Sequence, residues 1–302
     1  MRISVFCGVD VVSADQAVDR ARAAAADGFD AIWYAQGFGL DALTALAVVA
    51  HEVTDIDLGT AVVPIQGRHP LPLALQALTV SGIAGPGRFS LGLGVTHPVV
   101  SEGCFGVPYS SAVALCTEEM AALAGLLGPE RTVDHDGDRL TVRGTLAVDA
   151  PSPSLVLAAL GPKMLEVAGR YSDGTVTWMT GAATLARDVV PALAGAAEAA
   201  QRQAPRVVVG LPVCVTDDVD GARQRLGVGM AGAARMPSYQ RMLTAEGVAE
   251  PVDIALIGSE EVVEERIGHL AGAGATELLA NVQGEPDEVA RTRQFLGRLA
   301  AG

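Results

Sequence analysis

Residues 56–98 read IDLGTAVVPIQGRHPLPLALQALTVSGIAGPGRFSLGLGVTHP and contain two short apolar runs with a helical pattern between them. The runs, 56–63 and 88–93, are rich in aliphatic residues and end near proline or glycine, which is typical of strands buried on both faces. Pro70 marks the start of the intervening helix and Gly85 its end. The stretch therefore predicts a strand–helix–strand unit whose two strands are parallel.

The same alternation of apolar run and helical pattern recurs along the chain. Further strands are predicted at residues 3–7, 31–35, 155–159, 175–178, 207–215 and 277–282. With the first pair they make eight strands, each followed by a helix, which predicts a closed α/β (β/α)8 TIM barrel rather than an open doubly wound sheet. The 302 residues fit such a barrel as one domain, 1–302.

Two segments depart from this alternation. Residues 131–148 predict a β-hairpin that turns at Asp136 and Gly137 and lies outside the barrel. Residues 218–250 have a helical pattern that Pro237 interrupts. They predict an insertion between strands seven and eight.

Composition limits the class of partner. Half of the residues are hydrophobic, 19% are charged, and no apolar run reaches the roughly 18 residues of a membrane span. The N-terminus enters a strand without a signal-peptide pattern, so a cytoplasmic location is expected. A net charge of −14 without a basic cluster disfavours nucleic acid and membranes and leaves a small-molecule substrate. The four cysteines lack C-x-x-C spacing, which favours reduced thiols and no metal site.

In barrels of this kind, chemistry collects at the carboxyl ends of the strands. The corresponding positions here are Gly8, 34–37, 62–65, 94–98, 160–163, 178–181 and Asn281. They hold no nucleophile elbow, P-loop or metal-ligand cluster. A bound cofactor would account for this scarcity of catalytic side chains.

Two predicted helix starts are candidate anion sites, formed by Leu160, Gly161, Pro162 and Lys163 after the fifth strand and by Thr180 and Gly181 after the sixth. The free N–H groups and the dipole of a helix start favour a phosphate, and Lys163 can add a positive charge. The plain alternative is that Gly161 and Pro162 only mark the helix start and that Lys163 is solvated.

Three segments carry a more specific resemblance: LGTAVVPIQGRHPLPLALQALTV (58–80), GRFSLGLGVTHP (87–98) and LAALGPKMLEVAGRYSDGTVTWMTG (157–181). Together they resemble the luciferase-like monooxygenase superfamily, in particular its branch that depends on the deazaflavin coenzyme F420. The resemblance spans the whole chain. It implies a luciferase-like (β/α)8 barrel that binds F420 in its mouth and exchanges a hydride between deazaflavin C5 and a substrate.

The resemblance also assigns cofactor contacts. Relatives hold a non-proline cis peptide in the third strand, behind the deazaflavin ring, and the matching bond is Ala61–Val62. Gly94, where the fourth strand ends, is placed beside the same ring. The helix starts at Gly161 and Gly181 become candidates for the phosphate of the F420 side arm.

His97 stands where some relatives carry a glutamate suggested as proton donor. Imidazole titrates near neutral pH, so it can protonate a substrate atom after hydride addition. The alternative, of equal weight, is a ring that packs beside Pro98 or hydrogen-bonds the edge of the cofactor.

The predicted substrate pocket is formed by Tyr34, Gln36, Trp178 and Met179. Trp178 and Met179, at a strand end, are suited to wall an apolar pocket. Sugar-phosphate dehydrogenases of the resembled branch carry an Asp-His pair after the second strand, where this chain has Gln36 and Gly37. This difference argues against oxidation of a sugar phosphate, and it leaves Tyr34 and Gln36 to shape the pocket or to donate hydrogen bonds.

These patterns favour an F420-dependent oxidoreductase, as a reductase that adds hydride to a C=C or C=N bond of a small apolar or specialised metabolite. Two alternatives stay open: a reduced-FMN-dependent monooxygenase of the same superfamily, and a non-catalytic flavin-binding protein. The resemblance further implies a homodimer, for which the alanine-rich helices offer faces that can pack closely.

Overall fold

A computed structural model describes residues 1–232 and 235–302 of the chain. The strands are β1 (Arg2–Cys7), β2 (Ala31–Tyr34), β3 (Asp57–Thr60), β4 (Val63–Pro64), β5 (Phe89–Gly94), β6 (Thr132–Asp136), β7 (Thr141–Thr145), β8 (Ser154–Ala158), β9 (Gly174–Trp178), β10 (Arg206–Val215), β11 (Leu256–Gly258) and β12 (Glu277–Val282).

Eight of these strands close into a barrel. β1 pairs with β2, and parallel pairings continue through β3, β5, β8, β9, β10 and β12 back to β1. The predicted (β/α)8 barrel is thus confirmed. The predicted strand 56–63 is divided at Ala61 and Val62 into β3 and β4, and β4 pairs with β5.

The helices are α1 (Ala14–Asp27), α2 (Ala42–Glu52), α3 (Pro70–Ala84), α4 (Pro98–Gly103), α5 (Ala112–Leu126), α6 (Pro162–Tyr171), α7 (Ala182–Thr184), α8 (Val190–Ala199), α9 (Val219–Met230), α10 (Pro237–Glu246), α11 (Glu260–Gly272) and α12 (Pro286–Ala301). A π-helical turn, Leu185–Val189, joins α7 to α8. Within the described residues, no helix combines the length and the apolar character needed to cross a bilayer.

Local sequence explains where these helices begin and end. The Ser13 side chain accepts a hydrogen bond from the Gln16 N–H at the start of α1, and Gly28 ends that helix with φ +91°. α3 begins with Pro70, which lacks an N–H group, and the first N–H groups of a helix have no partner within the helix. The boundaries predicted for these two helices agree with the structure because capping residues mark them.

The interior of the barrel contains an apolar layer above a polar floor. The inward-facing residues of the layer are Ala31, Trp33, Val156, Val176, Val208 and Leu279. Below them the buried Glu277 carboxylate accepts hydrogen bonds from Ser4 Oγ (2.6 Å), Trp33 Nε1 (2.9 Å) and Arg206 Nη2 (2.8 Å). A Cβ on Gly59 would lie 2.3 Å from Trp33 Cδ2, so only glycine at this position of β3 leaves room for the indole.

Both predicted departures from the alternation are present. β6 and β7 form an antiparallel hairpin outside the barrel. The insertion between the seventh and eighth barrel strands, β10 and β12, contains α9, α10 and the short strand β11 beside β10. Sequence patterns did not indicate α4 or β11, because six and three residues are too few to show a period.

Candidate active site

The carboxyl ends of the barrel strands and the insertion enclose a cavity of about 370 Å³. Strands β9, β10 and β12 contribute Trp178, Pro212 and Asn281, and α9 contributes Arg225, Leu226 and Met230. The cavity therefore lies at the barrel end where this fold places its chemistry, with the insertion as one wall.

Trp178 and Met179 line this cavity, at the position where a substrate pocket was expected. The Trp178 ring packs against Phe6, with 5.8 Å between ring centroids. Met179 is buried and has φ +58°, an uncommon backbone conformation for a residue with a side chain. The chain thus leaves β9 through a turn that holds Met179 at the cavity wall.

Arg225 brings a guanidinium to the cavity wall, but carboxylates surround it. Its Nη2 contacts both oxygens of Glu288 at 2.8 Å, and Asp218 and Glu285 lie 3.5 and 3.7 Å from its other nitrogens. Burial lowers and these partners raise the pKa of Arg225, with a net rise. Its charge is therefore balanced within the protein.

The wall predicted to back a cofactor ring is formed by β3, β4 and the end of β5. The peptide bond between Ala61 and Val62 is cis, as the resemblance implied. A Cβ on Gly94 would lie 2.8 Å from Val62 Cγ2 and 3.0 Å from Ala158 Cβ. Glycine at 94 therefore lets β5 end in close contact with an apolar surface.

The start of α6 is open. Gly161 is the N-cap residue and offers no side-chain hydrogen bond to the helix, and a Cβ built on it would meet nothing within 4 Å. Leu160 is half-buried, Pro162 and Lys163 are exposed, and Lys163 forms no ion pair with the described residues. The four residues predicted as an anion site thus present a helix start with room for a ligand.

The start of α7, where a phosphate site was predicted at Thr180 and Gly181, is occupied by a side chain of the protein. The Glu246 carboxylate of α10 accepts hydrogen bonds from the N–H groups of Ala183 (3.1 Å) and Thr184 (2.8 Å). Thr180 is fully buried, and its hydroxyl donates to the Trp178 carbonyl oxygen at 3.3 Å. Two of the N–H groups at this helix start are therefore already bonded within the protein.

His97 lies in the loop after β5, just before α4, and is half-buried. Its ring meets the ring of Tyr239 in α10 edge to face, with 5.9 Å between centroids and 75° between planes. Burial lowers the pKa of His97 below its ordinary value of 6.5. The imidazole is therefore neutral at neutral pH.

Tyr34 and Gln36 do not line this cavity, so the structure does not bring the four predicted pocket residues together. Successive side chains of a strand point to opposite faces, and since Trp33 points into the barrel, Tyr34 points outward. The Tyr34 hydroxyl donates to the Ala17 carbonyl oxygen at 2.5 Å. Gln36 Oε1 accepts from the Ala42 N–H at 2.8 Å, which caps the start of α2.

Sequence reasoning missed three residues at the mouth: Arg225, Tyr239 and Glu246. All three lie on the insertion, which the helical pattern and Pro237 did indicate. The pattern gave no sign of which face of α9 or α10 would pack on the barrel, since both helices carry polar and apolar residues on several sides.

The chain is similar to one protein family and to several characterised enzymes over most of its length. The model of the luciferase-like monooxygenase family matches residues 1–277. A 5,10-methylenetetrahydromethanopterin reductase from Methanolobus tindarius is 28% identical over 301 residues, which cover 96% of this chain and 90% of that protein. An F420-dependent glucose-6-phosphate dehydrogenase from Beutenbergia cavernae is 28% identical over 256 residues, which cover 82% of this chain and 70% of that protein.

Solved structures show the same fold. An F420-dependent secondary alcohol dehydrogenase, solved in complex with an F420-acetone adduct, has a TM-score of 0.83 at 18% identity and covers 98% of this chain and 97% of its own. A monooxygenase from Streptomyces bottropensis has a TM-score of 0.77 at 20% identity, with coverage of 99% and 98%.

Proposed function

The chain belongs to the luciferase-like monooxygenase family, and from that premise we propose that it is an oxidoreductase dependent on coenzyme F420. The 5,10-methylenetetrahydromethanopterin reductase and the F420-dependent glucose-6-phosphate dehydrogenase align with 96% and 82% of the chain. The structural observation that carries the proposal is the combination of an apolar strand-end wall with an open helix start at the same barrel end.

The residues present fit this cofactor. Ala61, Val62 and Gly94 form an apolar wall without room for a further side chain, which suits the face of a planar ring. The open start of α6, with Lys163 beside it, suits the phosphate of the side arm. The start of α7 does not suit that phosphate, because Glu246 occupies it.

When bound, F420 supplies a ring carbon that exchanges a hydride with the substrate. Trp178 and Met179 wall the cavity and would limit the access of water to the bound ligands. His97 is neutral at neutral pH, so it can accept a proton when the substrate is oxidised. In a reduction it donates a proton only after protonation to the imidazolium.

We propose further that the substrate is small, uncharged and apolar, and that the reaction is hydride addition to a C=C or C=N bond. Pro212, Leu226 and Met230 supply apolar surface to a cavity of about 370 Å³, whose polar lining consists of Arg225, Asn281, Gln283 and Glu285. Carboxylates balance the charge of Arg225, and the carboxylate of Glu246 fills the nearby helix start. These features disfavour an anionic substrate.

The first test is titration of the purified protein with F420 and, separately, with FMN, followed by tryptophan fluorescence. We expect F420 to quench the emission of Trp178, and we expect a Trp178→Phe variant to lose most of that signal. Lys163→Ala is expected to weaken F420 binding several-fold, whereas Lys163→Arg is expected to retain it. Preference for FMN would replace the proposal with oxygen-dependent chemistry, and binding of neither would favour a protein without catalytic function.

The second test is consumption of reduced F420 with a panel of unsaturated acceptors, monitored by the return of F420 absorbance. A neutral enone or imine is expected to oxidise the coenzyme faster than a phosphorylated or carboxylated analogue of similar size. Equal rates for the anionic analogue would contradict the proposed substrate class while leaving the cofactor assignment intact.

A further inference from the structure

α10 touches the barrel mouth at two separate points. Its C-terminal residue, Glu246, bonds to the start of α7, and Tyr239 near its N-terminus packs on His97. α7 follows β9 and His97 follows β5, and β8 stands between those strands in the barrel. The helix therefore bridges two loops that flank the open start of α6.

The two oxygens of the Glu246 carboxylate match two N–H groups at the start of α7. The two carboxylate oxygens accept from the two consecutive N–H groups, one oxygen each, so neither oxygen nor either donor is left unbonded there. A Cβ on Gly181 would lie 2.3 Å from Glu246 Oε1, so glycine at 181 is what admits the carboxylate. Arg187 Nη2 adds a bond to the Ala245 carbonyl oxygen at 3.0 Å.

The other contact involves rings alone. Tyr239 is partly buried and meets the imidazole edge to face, and it is the titratable side chain that the structure places against the His97 ring. Aromatic pairs of this geometry add only a small free energy beyond their buried area. α10 also buries Met242 and Leu243, and the Glu246 carboxylate supplies its charge-assisted hydrogen bonds to the start of α7.

We propose that Glu246 is a positioning residue: its carboxylate latches α10 to the start of α7 and thereby holds Tyr239 against the ring of His97. The latch keeps the imidazole packed against Tyr239 and partly dehydrated. This inference rests on the proposed function, which gives His97 its role, but its structural content is measurable without cofactor or turnover.

Hydrogen exchange of the ligand-free protein tests the latch. In Glu246→Ala we expect residues 237–246 to exchange at least about tenfold faster than in the wild type, since two charge-assisted hydrogen bonds are lost. Gly181→Ala is expected to reproduce this result with Glu246 intact, because the new methyl group displaces the carboxylate. Glu265→Ala, at an exposed glutamate of α11, serves as the matched control and is expected to change nothing.

Titration of His97 by NMR gives the second readout. Release of Tyr239 hydrates the imidazole, so its pKa is expected to rise toward 6.5 in Glu246→Ala and in Gly181→Ala. Glu246→Gln keeps an acceptor oxygen for one N–H and is expected to fall between wild type and alanine in both measurements.

Three results would overturn the inference. The first is an unchanged rate of hydrogen exchange in α10 of Glu246→Ala, and the second is an unchanged pKa of His97 in that variant. The third is faster hydrogen exchange throughout the barrel strands, which would mean that Glu246 stabilises the whole fold. Failure of the proposed function has a different signature, because F420 would then bind neither the wild type nor any variant.

Discussion

At the scale of single residues, the site depends on side chains whose burial changes their chemistry. His97 and Glu119 are two such groups, and burial acts on them in opposite directions. The pKa of His97 is lowered, whereas burial raises the pKa of the Glu119 carboxyl to about 8. In each case burial favours the neutral form, which is the general effect of removing an ionisable group from water.

His97 gives a prediction for the pH dependence of turnover. If its imidazolium protonates the reduced substrate, kcat/KM falls as the pH rises through a pKa below 6.5, because the proton donor is then lost. His97→Gln is expected to lower the rate by about 10²-fold and to remove this limb of the profile. His69→Gln is the control, since His69 Nδ1 caps α3 and its Nε2 contacts the Thr141 carbonyl oxygen of the outer hairpin. A limb that persists without His97 would assign the proton to water or to another group.

Glu119 gives a prediction for the pH dependence of stability. Its carboxyl lies buried in α5, and Oε2 has no hydrogen-bond partner within the described residues. The folded protein keeps the proton up to about pH 8, whereas the unfolded chain loses it near 4.5. Between these values the folded state binds more protons, so the free energy of unfolding falls by up to about 1.4 kcal/mol per pH unit.

Glu119→Gln keeps the shape of the side chain without its charge. The variant is expected to lose this decline and to be more stable than the wild type above pH 8, by denaturant unfolding at a series of pH values. Glu264→Gln, at an exposed position of α11, is expected to retain the wild-type profile. Parallel profiles for wild type and Glu119→Gln would show that the carboxyl is hydrated in solution.

At the scale of elements, a glycine has opposite consequences in a barrel strand and in an outer helix. A methyl group on Gly59 in β3 would collide with the Trp33 ring, whereas one on Gly268 in α11 would meet nothing within 4 Å. The first position serves the packing of the barrel interior. The second only adds flexibility to the unfolded chain and lowers helix propensity.

The paired substitutions should therefore differ in sign. Gly59→Ala is expected to destabilise the protein by about 2 kcal/mol or more, because either the strand or the indole must move. Gly268→Ala is expected to stabilise it by about 0.5–1 kcal/mol. Urea unfolding of both variants beside the wild type measures the two effects. A neutral Gly59→Ala would mean that Trp33 has an alternative position in the barrel.

At the scale of the whole molecule, the ion pair of Arg206 and Glu277 stabilises the inner end of the barrel. Glu277 is almost fully buried, and Arg206 also donates to Ser90 and Ser154 on two further strands. Arg206→Leu is expected to cost about 3–5 kcal/mol, since it leaves the carboxylate buried without its cation. Arg143→Leu breaks exposed ion pairs in the hairpin, which water and salt screen, and is expected to cost far less.

Thermal unfolding of the two leucine variants distinguishes these costs. A large loss of Tm for Arg206→Leu with a small one for Arg143→Leu is the expected outcome. Similar losses would mean that water reaches the barrel floor and screens Glu277.

The sequence predicted the architecture well because each barrel strand is a continuous apolar run between glycines and prolines. It also predicted the open helix start at Gly161, since helix starts are determined by neighbouring residues. It did not indicate that Tyr34 points away from the barrel interior, because the run of four buried residues concealed the alternation of faces. Nor did it indicate that Glu246, 65 positions after Gly181, bonds to the start of α7. Contacts across such distances depend on packing that local pattern does not record.

The filled inner end of the barrel has a kinetic consequence. In the part of the chain that the structure describes, Trp33 and the bonded Glu277 occupy that end, so cofactor and substrate share the opposite opening. Two ligands that use one opening cannot exchange independently, and the one seated deeper leaves last. Steady-state rates should then follow a compulsory order, in which an excess of the outer ligand traps the inner one and slows its release.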